Sequence, residues 1–345
     1  MEGPGACPVQ TTMSIGIIAN PASGKDIRRL VAQGSVFDTS EKTNILRRVL
    51  RAIDALGGEQ VLIMPDTDAM GARALDGLHL SLDAAVLNMP MTGTARDSAE
   101  AARRMASLGA RCIITLGGDG TNRAVAAGCG DVPLLPISTG TNNVFSSMVE
   151  GTVAGLAAAV IASGRIEVER VTHPAKRLDV EVDGRSADLA LIDAATTRDL
   201  FIASRALWEP GKLVEAILTR AHPATVGLAA VGGCLATVDA DDPWALYVRF
   251  GPGGRRVLAP LAPGLVVPIE VASWRIVDIG ETVRFESGDF TVALDGEREL
   301  EVSRLQSVRA RVSLDGPRVV DVAACLREGA RQGMFDLRVP AQASA

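Results

Sequence analysis

The sequence predicts a chain of two structural parts, an α/β unit on a parallel sheet followed by an all-β, sandwich-like region. Three observations carry this. Over the first 145 or so residues, short apolar runs alternate with stretches of helical periodicity, the pattern of a three-layer α/β unit with helices on both sheet faces. One apolar run empties directly into the turn Gly117-Gly118-Asp119-Gly120-Thr121. Beyond residue 166 the texture changes to β-branched segments that alternate in polarity and are broken by turn dipeptides.

Taken in order, residues 1–12 read as a loose tail, with Met13 as an alternative start, and carry neither the basic nor the apolar region of a signal peptide. Strands are expected at 14–19, 61–64, 84–87, 112–116 and 134–137. Residues 42–56 place Ile45, Leu46, Val49, Leu50, Ile53 and Leu56 on one helical stripe, stopped by Gly57-Gly58. Further helices are expected at 98–108, 122–127 and 152–163. In the second part, strands are expected at 178–182, 244–250, 265–271, 282–285 and 290–294. Asp183-Gly184, Gly253-Gly254 and Asp295-Gly296 are the separating turns. Two strands around Asp315-Gly316-Pro317 and a helix at 323–332 close the chain. The expected division is therefore a tail at 1–12, an α/β unit at 13–150 and a β-rich unit at 151–305. Residues 306–345 form a last segment that can return to the first unit.

Composition bounds the function. A net charge of −6 lacks the basic face that nucleic acid requires. The longest apolar stretches, 153–162 and 226–238, are too short or too glycine-rich to span a bilayer. Five scattered cysteines without a Cys-x-x-Cys pair suit a reducing cytoplasm and no metal cluster. The expectation is a cytoplasmic protein with a small-molecule substrate, no nucleic-acid partner and no membrane; a homodimer is left open.

The chemistry concentrates in four segments. In the first, a strand, glycine turn and helix start follow one another at Gly117, Gly118, Asp119, Gly120, Thr121 and Asn122. Glycines let backbone N–H groups approach an anion, and the helix dipole favours negative charge there. An acid inside such a loop repels phosphate unless it holds a metal or accepts a proton, which singles out Asp119. In the second segment, Asn20-Pro21-Ala22-Ser23-Gly24-Lys25 follows the first strand. It lacks the spacing of a Walker A loop, yet Asn20, Ser23, Gly24 and Lys25 suit a nucleotide phosphate. In the third, Ser138-Thr139-Gly140-Thr141-Asn142-Asn143 follows another strand and is dense in hydroxyl and amide groups that suit a phosphate, a ribose or a metal's water. The fourth, Asp295-Gly296-Glu297, is equally a hairpin turn when taken alone. His173 and His222 both precede prolines in turns; His222 adjoins the glycine-rich stretch 224–233 and is an outside candidate for substrate contact.

Together these segments resemble the superfamily of diacylglycerol, sphingosine and NAD kinases, and over the whole chain the acetoin-catabolism protein X family within it. The opening 14–30, Ser-Ile-Gly-Ile-Ile-Ala-Asn-Pro-Ala-Ser-Gly-Lys-Asp-Ile-Arg-Arg-Leu, is similar to that family in particular. The resemblance implies a cleft between the two parts, ATP with Mg²⁺ as cofactors, and phosphoryl transfer to a hydroxyl or enol oxygen of a small ketone or hydroxyketone. It further implies Asp119, Asp295 and Glu297 as the catalytic acids, with Asp119 and Asp295 near the metal. Asn20, Ser23, Gly24, Lys25, Gly117, Gly118, Gly120, Thr121, Asn122, Thr139, Gly140, Thr141, Asn142 and Asn143 would line the nucleotide. Asp193 and His222 would face the acceptor. The chain departs from lipid kinases at Asn122-Arg123, where they carry a glutamate, and from NAD kinases in the tyrosine missing from 224–233. NAD kinase, lipid kinase and a non-catalytic nucleotide sensor are the alternatives, and the retained acids count against the sensor.

Overall fold

The computed structural model describes residues 13–23, 38–140, 142–198, 210–286 and 288–336. Five parallel strands open the chain: β1 (Ser14–Ala19), β2 (Gln60–Ile63), β3 (Asp83–Val86), β4 (Cys112–Gly117) and β5 (Leu134–Ser138). They lie in the order β3-β2-β1-β4-β5. Every residue of β1, β4 and β5 is buried, as expected for central parallel strands covered on both faces. Their alternate side chains feed two cores. Ile15, Ile17, Cys112, Ile114 and Leu116 meet α1 (Thr39–Ala55) and the later helices on one face, whereas Ile18 and Ile113 meet the other face. The short α2 (Met70–Leu75), which the sequence reading passes over, follows β2. On the second face lie α3 (Ala95–Ser107) and α4 (Asp119–Ala126).

α1 begins at Thr39, three residues earlier than its apolar stripe implies, because Asp38 caps it by accepting the Glu41 N–H at 2.7 Å. α4 likewise starts at Asp119, so the glycine turn itself is the helix start. The apolar α5 (Gly151–Ala162) is buried on nearly all sides against α1.

The sheet continues through β6 (Thr172–Pro174) at its far edge. β7 (Arg177–Val182), β8 (Arg185–Ala190), β9 (Asp193–Thr197), β10 (Leu213–Leu218), α6 (Leu228–Gly233), β11 (Trp244–Ala262), β12 (Leu265–Asp278), β13 (Thr282–Arg284), β14 (Phe290–Leu294), β15 (Glu297–Val302) and β16 (Val308–Ser313) follow. They form two antiparallel sheets, β12-β11-β10-β9-β14-β15 and β13-β16-β7-β8. Leu178, Val180, Ala194, Ile217, Val292, Leu294, Ala310 and Val312 fill the core between them. On the other side of the larger sheet, Leu228 and Val231 of α6 pack on Leu218, Leu246 and Val248. The glycine-rich stretch is thus core packing at these positions.

β17 (Arg318–Val320) then inserts between β5 and β6, parallel to the first through Val319↔Leu134 and antiparallel to the second through Val319↔His173. α7 (Val322–Arg331) docks Cys325 against the Ala157 carbonyl of α5.

One expected turn is absent. Gly253-Gly254 lies inside β11, where the register against β12 shifts between Phe250 and Arg255. Gly251 and Gly253 take φ of 132° and 99°, and a Cβ on Gly254 would stand 2.3 Å from the Val271 carbonyl oxygen. The glycines make a bulge that bends one long strand without ending it.

Candidate nucleotide-binding site

Phosphate ligands of open parallel sheets bind beyond the carboxyl ends of the strands, where β1, β4 and β5 each end in one of the predicted loops. Hydrogen bonds join the three. Asn20 Nδ2 donates to Thr121 Oγ1 at 2.9 Å, and the hydroxyls of Ser23 and Thr139 lie 2.9 Å apart. The Asn20 N–H also bonds the Leu116 carbonyl at 3.0 Å. Asn143 Nδ2 donates to Ser138 Oγ at 2.7 Å, and that hydroxyl donates to the Gly140 carbonyl at 2.6 Å. Asn142 lies in the same turn. Gly24, Lys25 and Thr141 fall outside the described residues.

Gly118 is the N-cap of α4 and has no side chain to occupy the helix N-terminus. A Cβ there would stand 3.0 Å from Asn143 Oδ1, so the glycine keeps open the space between two loops. Asn122 is buried beneath it, accepting from Thr115 Oγ1 at 2.6 Å and donating to the Gly118 carbonyl at 3.0 Å. This N-terminus, bordered by hydroxyls and amides, fits a phosphate.

The acids are engaged with main chain. Asp119 accepts the N–H groups of Val144 at 2.8 Å and Phe145 at 3.0 Å. Desolvation raises its pKa above the usual carboxylate value, against those hydrogen bonds and the nearby Arg220 charge. Asp295 Oδ1 accepts from Leu191, Ile192 and Asp193 at 3.0, 2.7 and 3.2 Å. Its carboxylate is fully buried, touching protein and not solvent. Burial pushes its pKa up to about 7, opposed by Arg123 and the backbone donors and reinforced by the charge of Asp119. Asp295 and Gly296 have φ of 51° and 78°, so the hairpin turn and the site residue are the same feature. The Glu297 side chain lies outside what the structure describes.

The structure brings Asp193 to this turn, where its Oδ1 accepts the Gly296 N–H at 3.3 Å. His222 is exposed, and its Nδ1 accepts the Ala224 N–H at 3.0 Å within a local turn. Among the described residues, no group of three or more His, Cys, Asp or Glu is arranged to hold a metal ion. Mg²⁺ needs no such cage, since it commonly uses one or two carboxylates, retained waters and substrate phosphates. Asp119 stands at the head of α4, with both carboxylate oxygens already accepting main-chain N–H groups.

Three basic residues escaped the sequence reading. Lys42 is buried with its ammonium on the main chain of the 20–23 turn. It continues the buried stripe of Ile45, Leu46, Val49 and Ile53, and a lysine on an apolar stripe was the available signal. Arg123 of α4 reaches Asp188 at 3.1 Å and Asp295 at 4.0 Å. Arg220 donates to the carbonyls of Val144 and Phe145 at 3.0 and 3.3 Å and lies 4.9 Å from the Phe145 ring centre. Nothing in the local sequence marks either arginine, because their partners are distant in the chain.

A parallel sheet with a glycine loop opening a helix, followed by antiparallel sheets, defines an NAD-kinase-like protein. Residues 15–166 match the ATP-NAD kinase N-terminal domain, and residues 176–315 match the acetoin catabolism protein X C-terminal domain. The chain is 38% identical over 337 residues to the acetoin catabolism protein X of Cupriavidus necator, covering 93% of each chain. It belongs to the acetoin catabolism protein X family. No helix among the described residues is long and apolar enough to cross a membrane.

Proposed function

We propose that the protein is an ATP-dependent kinase that phosphorylates a hydroxyl or enol oxygen of a small ketone or hydroxyketone, in acetoin breakdown or a related route. The observation that carries the reading is the hydrogen-bonded union of three strand-end loops around the uncapped N-terminus of α4. The name of the Cupriavidus necator relative supports the acceptor class. Bound Mg²⁺ would neutralise phosphate charge during transfer, the largest requirement of phosphoryl chemistry.

In this reading the Gly117, Gly118 and Gly120 backbone, with Asn20, Ser23, Thr121, Thr139, Gly140 and Asn143, orients the nucleotide phosphates. Gly24, Lys25, Thr141, Asn122 and Asn142 complete or support the cradle. Asp119 is the acid at the loop and would hold the cation. Proton acceptance falls to the set Asp119, Asp295 and Glu297. Asp193, on the Asp295 turn, and His222 are the proposed acceptor-side groups.

The test is ADP release from ATP and Mg²⁺ across a panel of small ketones, hydroxyketones and NAD. Stimulation by a small ketone or hydroxyketone is expected. NADP formation from NAD would replace this reading with NAD kinase, and nucleotide binding without turnover on any acceptor would favour a sensor.

A further inference from the structure

The 20–23 turn supplies Asn20 to Thr121 and Ser23 to Thr139, so its shape decides whether it meets the other two loops. That shape has an internal counterpart. Three of its main-chain carbonyls, from Asn20, Pro21 and Ser23, converge on the ammonium of Lys42, at 2.9 and 3.1 Å for the first two and in direct contact for the third. Lys42 is 0% exposed. Burying an ammonium is costly unless polar groups compensate it, and an ammonium has three N–H donors to match three carbonyls. The lysine stands in the first turn of α1, whose Asp38 cap and apolar stripe fix it against the sheet. The cation is therefore delivered from a rigid element to a loop that touches both others.

We propose that Lys42 is a positioning residue of the nucleotide site, a built-in cation that holds the 20–23 turn in its ligand-ready shape. The inference rests on the nucleotide-binding reading above, and it adds a residue that contacts the loop's main chain from within. Without the ammonium, three inward carbonyls lose a charged donor, and rotating them toward water withdraws Asn20 from Thr121 and Ser23 from Thr139.

The experiment compares wild type with Lys42→Met, Lys42→Ala and Lys42→Arg, measuring MgATP and MgADP affinity by calorimetry, melting temperature, and amide exchange of Asn20, Ala22 and Ser23 without nucleotide. Lys42→Met is expected to lose about 10- to 100-fold in nucleotide affinity, the worth of charged hydrogen bonds, together with protection of the turn. In Lys42→Ala, n-propylammonium replaces the deleted atoms and is expected to restore affinity and protection, while n-propanol is not. Wild-type affinity and protection in Lys42→Met overturn the proposal. So does a loss in Lys42→Ala that propylammonium does not reverse better than propanol. If both neutral variants fail to fold, exchange in Lys42→Arg decides: retained protection supports the proposal and lost protection overturns it. Should wild type bind no nucleotide, the kinase reading fails by itself, and the exchange comparison still decides the hold of Lys42 on the turn.

Discussion

Asp119 and Arg220 hold the same two residues by opposite main-chain groups. Asp119, at the head of α4, accepts the N–H groups of Val144 and Phe145, and Arg220, just beyond β10, donates to their carbonyls. Each side chain is desolvated, and each opposes the other's loss of charge. The 144–145 segment is thus a bridge between the α/β layers and the antiparallel sheets. Asp119→Asn turns an amide donor toward one of two backbone donors, so a stability loss of about 1–3 kcal/mol is expected. Its turnover should fall about 10²- to 10⁴-fold. A double-mutant cycle of Asp119→Asn with Arg220→Met, read by urea unfolding, should give a coupling energy of about 0.5–3 kcal/mol. Strict additivity would show that the two act independently.

Gly118→Ala separates the cradle from the fold. The φ of −95° is open to alanine, but the new methyl would crowd Asn143 Oδ1 at 3.0 Å, in the gap proposed for phosphate. Nucleotide affinity should drop at least about tenfold, or 1.4 kcal/mol, with little change in melting temperature. Calorimetry showing wild-type affinity would remove the phosphate from this position.

The buried Asp295 gives stability a definite pH dependence. Its pKa rises from 3.8 to about 7 on folding, so between these values the folded chain binds more protons than the unfolded one. Its contribution is present below pH 3.8 and is lost as pH rises through 7. Asp295→Asn cannot titrate, so the stability of wild type relative to this variant should decline steadily from pH 4 to 7 and then level off. A difference that grows with pH over that window would mean the carboxylate is ionised and stabilised in the fold.

Arg123 stands 4.0 Å from Asp295 and opposes the rise in its pKa. Replacing it by methionine should push the Asp295 pKa higher still. Removing one partner of a buried pair commonly costs about 3–5 kcal/mol, and here the cost should be smaller at pH 5, where Asp295 is protonated, than at pH 8. Equal losses at both values, measured by urea unfolding, would point to packing or the Asp188 pair, and not Asp295, as the cause.

Local signals made much of the molecule legible. The fully apolar runs of β1, β4 and β5, the stripe of α1 and the Asp183-Gly184 and Asp295-Gly296 turns each follow from neighbours in sequence, because period and turn chemistry act over a few residues. The glycine loop carried its own meaning for the same reason. What escaped was set by long-range placement. A strand after Gly316-Pro317 is expected from the turn, but its place as β17 between β5 and β6 is set by pairing with strands far away in the chain. The Gly253-Gly254 pair bends a strand because β12 lies alongside it, whereas alone it reads as a turn.

The sequence by itself therefore determined which groups stand at the proposed site: glycines at a helix start, hydroxyl- and amide-rich loops after strands, and a small set of acids. Tertiary structure decided how those groups are charged and held. Lys42, Arg123 and Arg220 find their partners only when the sheet, α1 and the antiparallel strands are assembled. The physical reason is that hydrogen bonding and desolvation depend on distance in space, and a linear pattern records only distance along the chain.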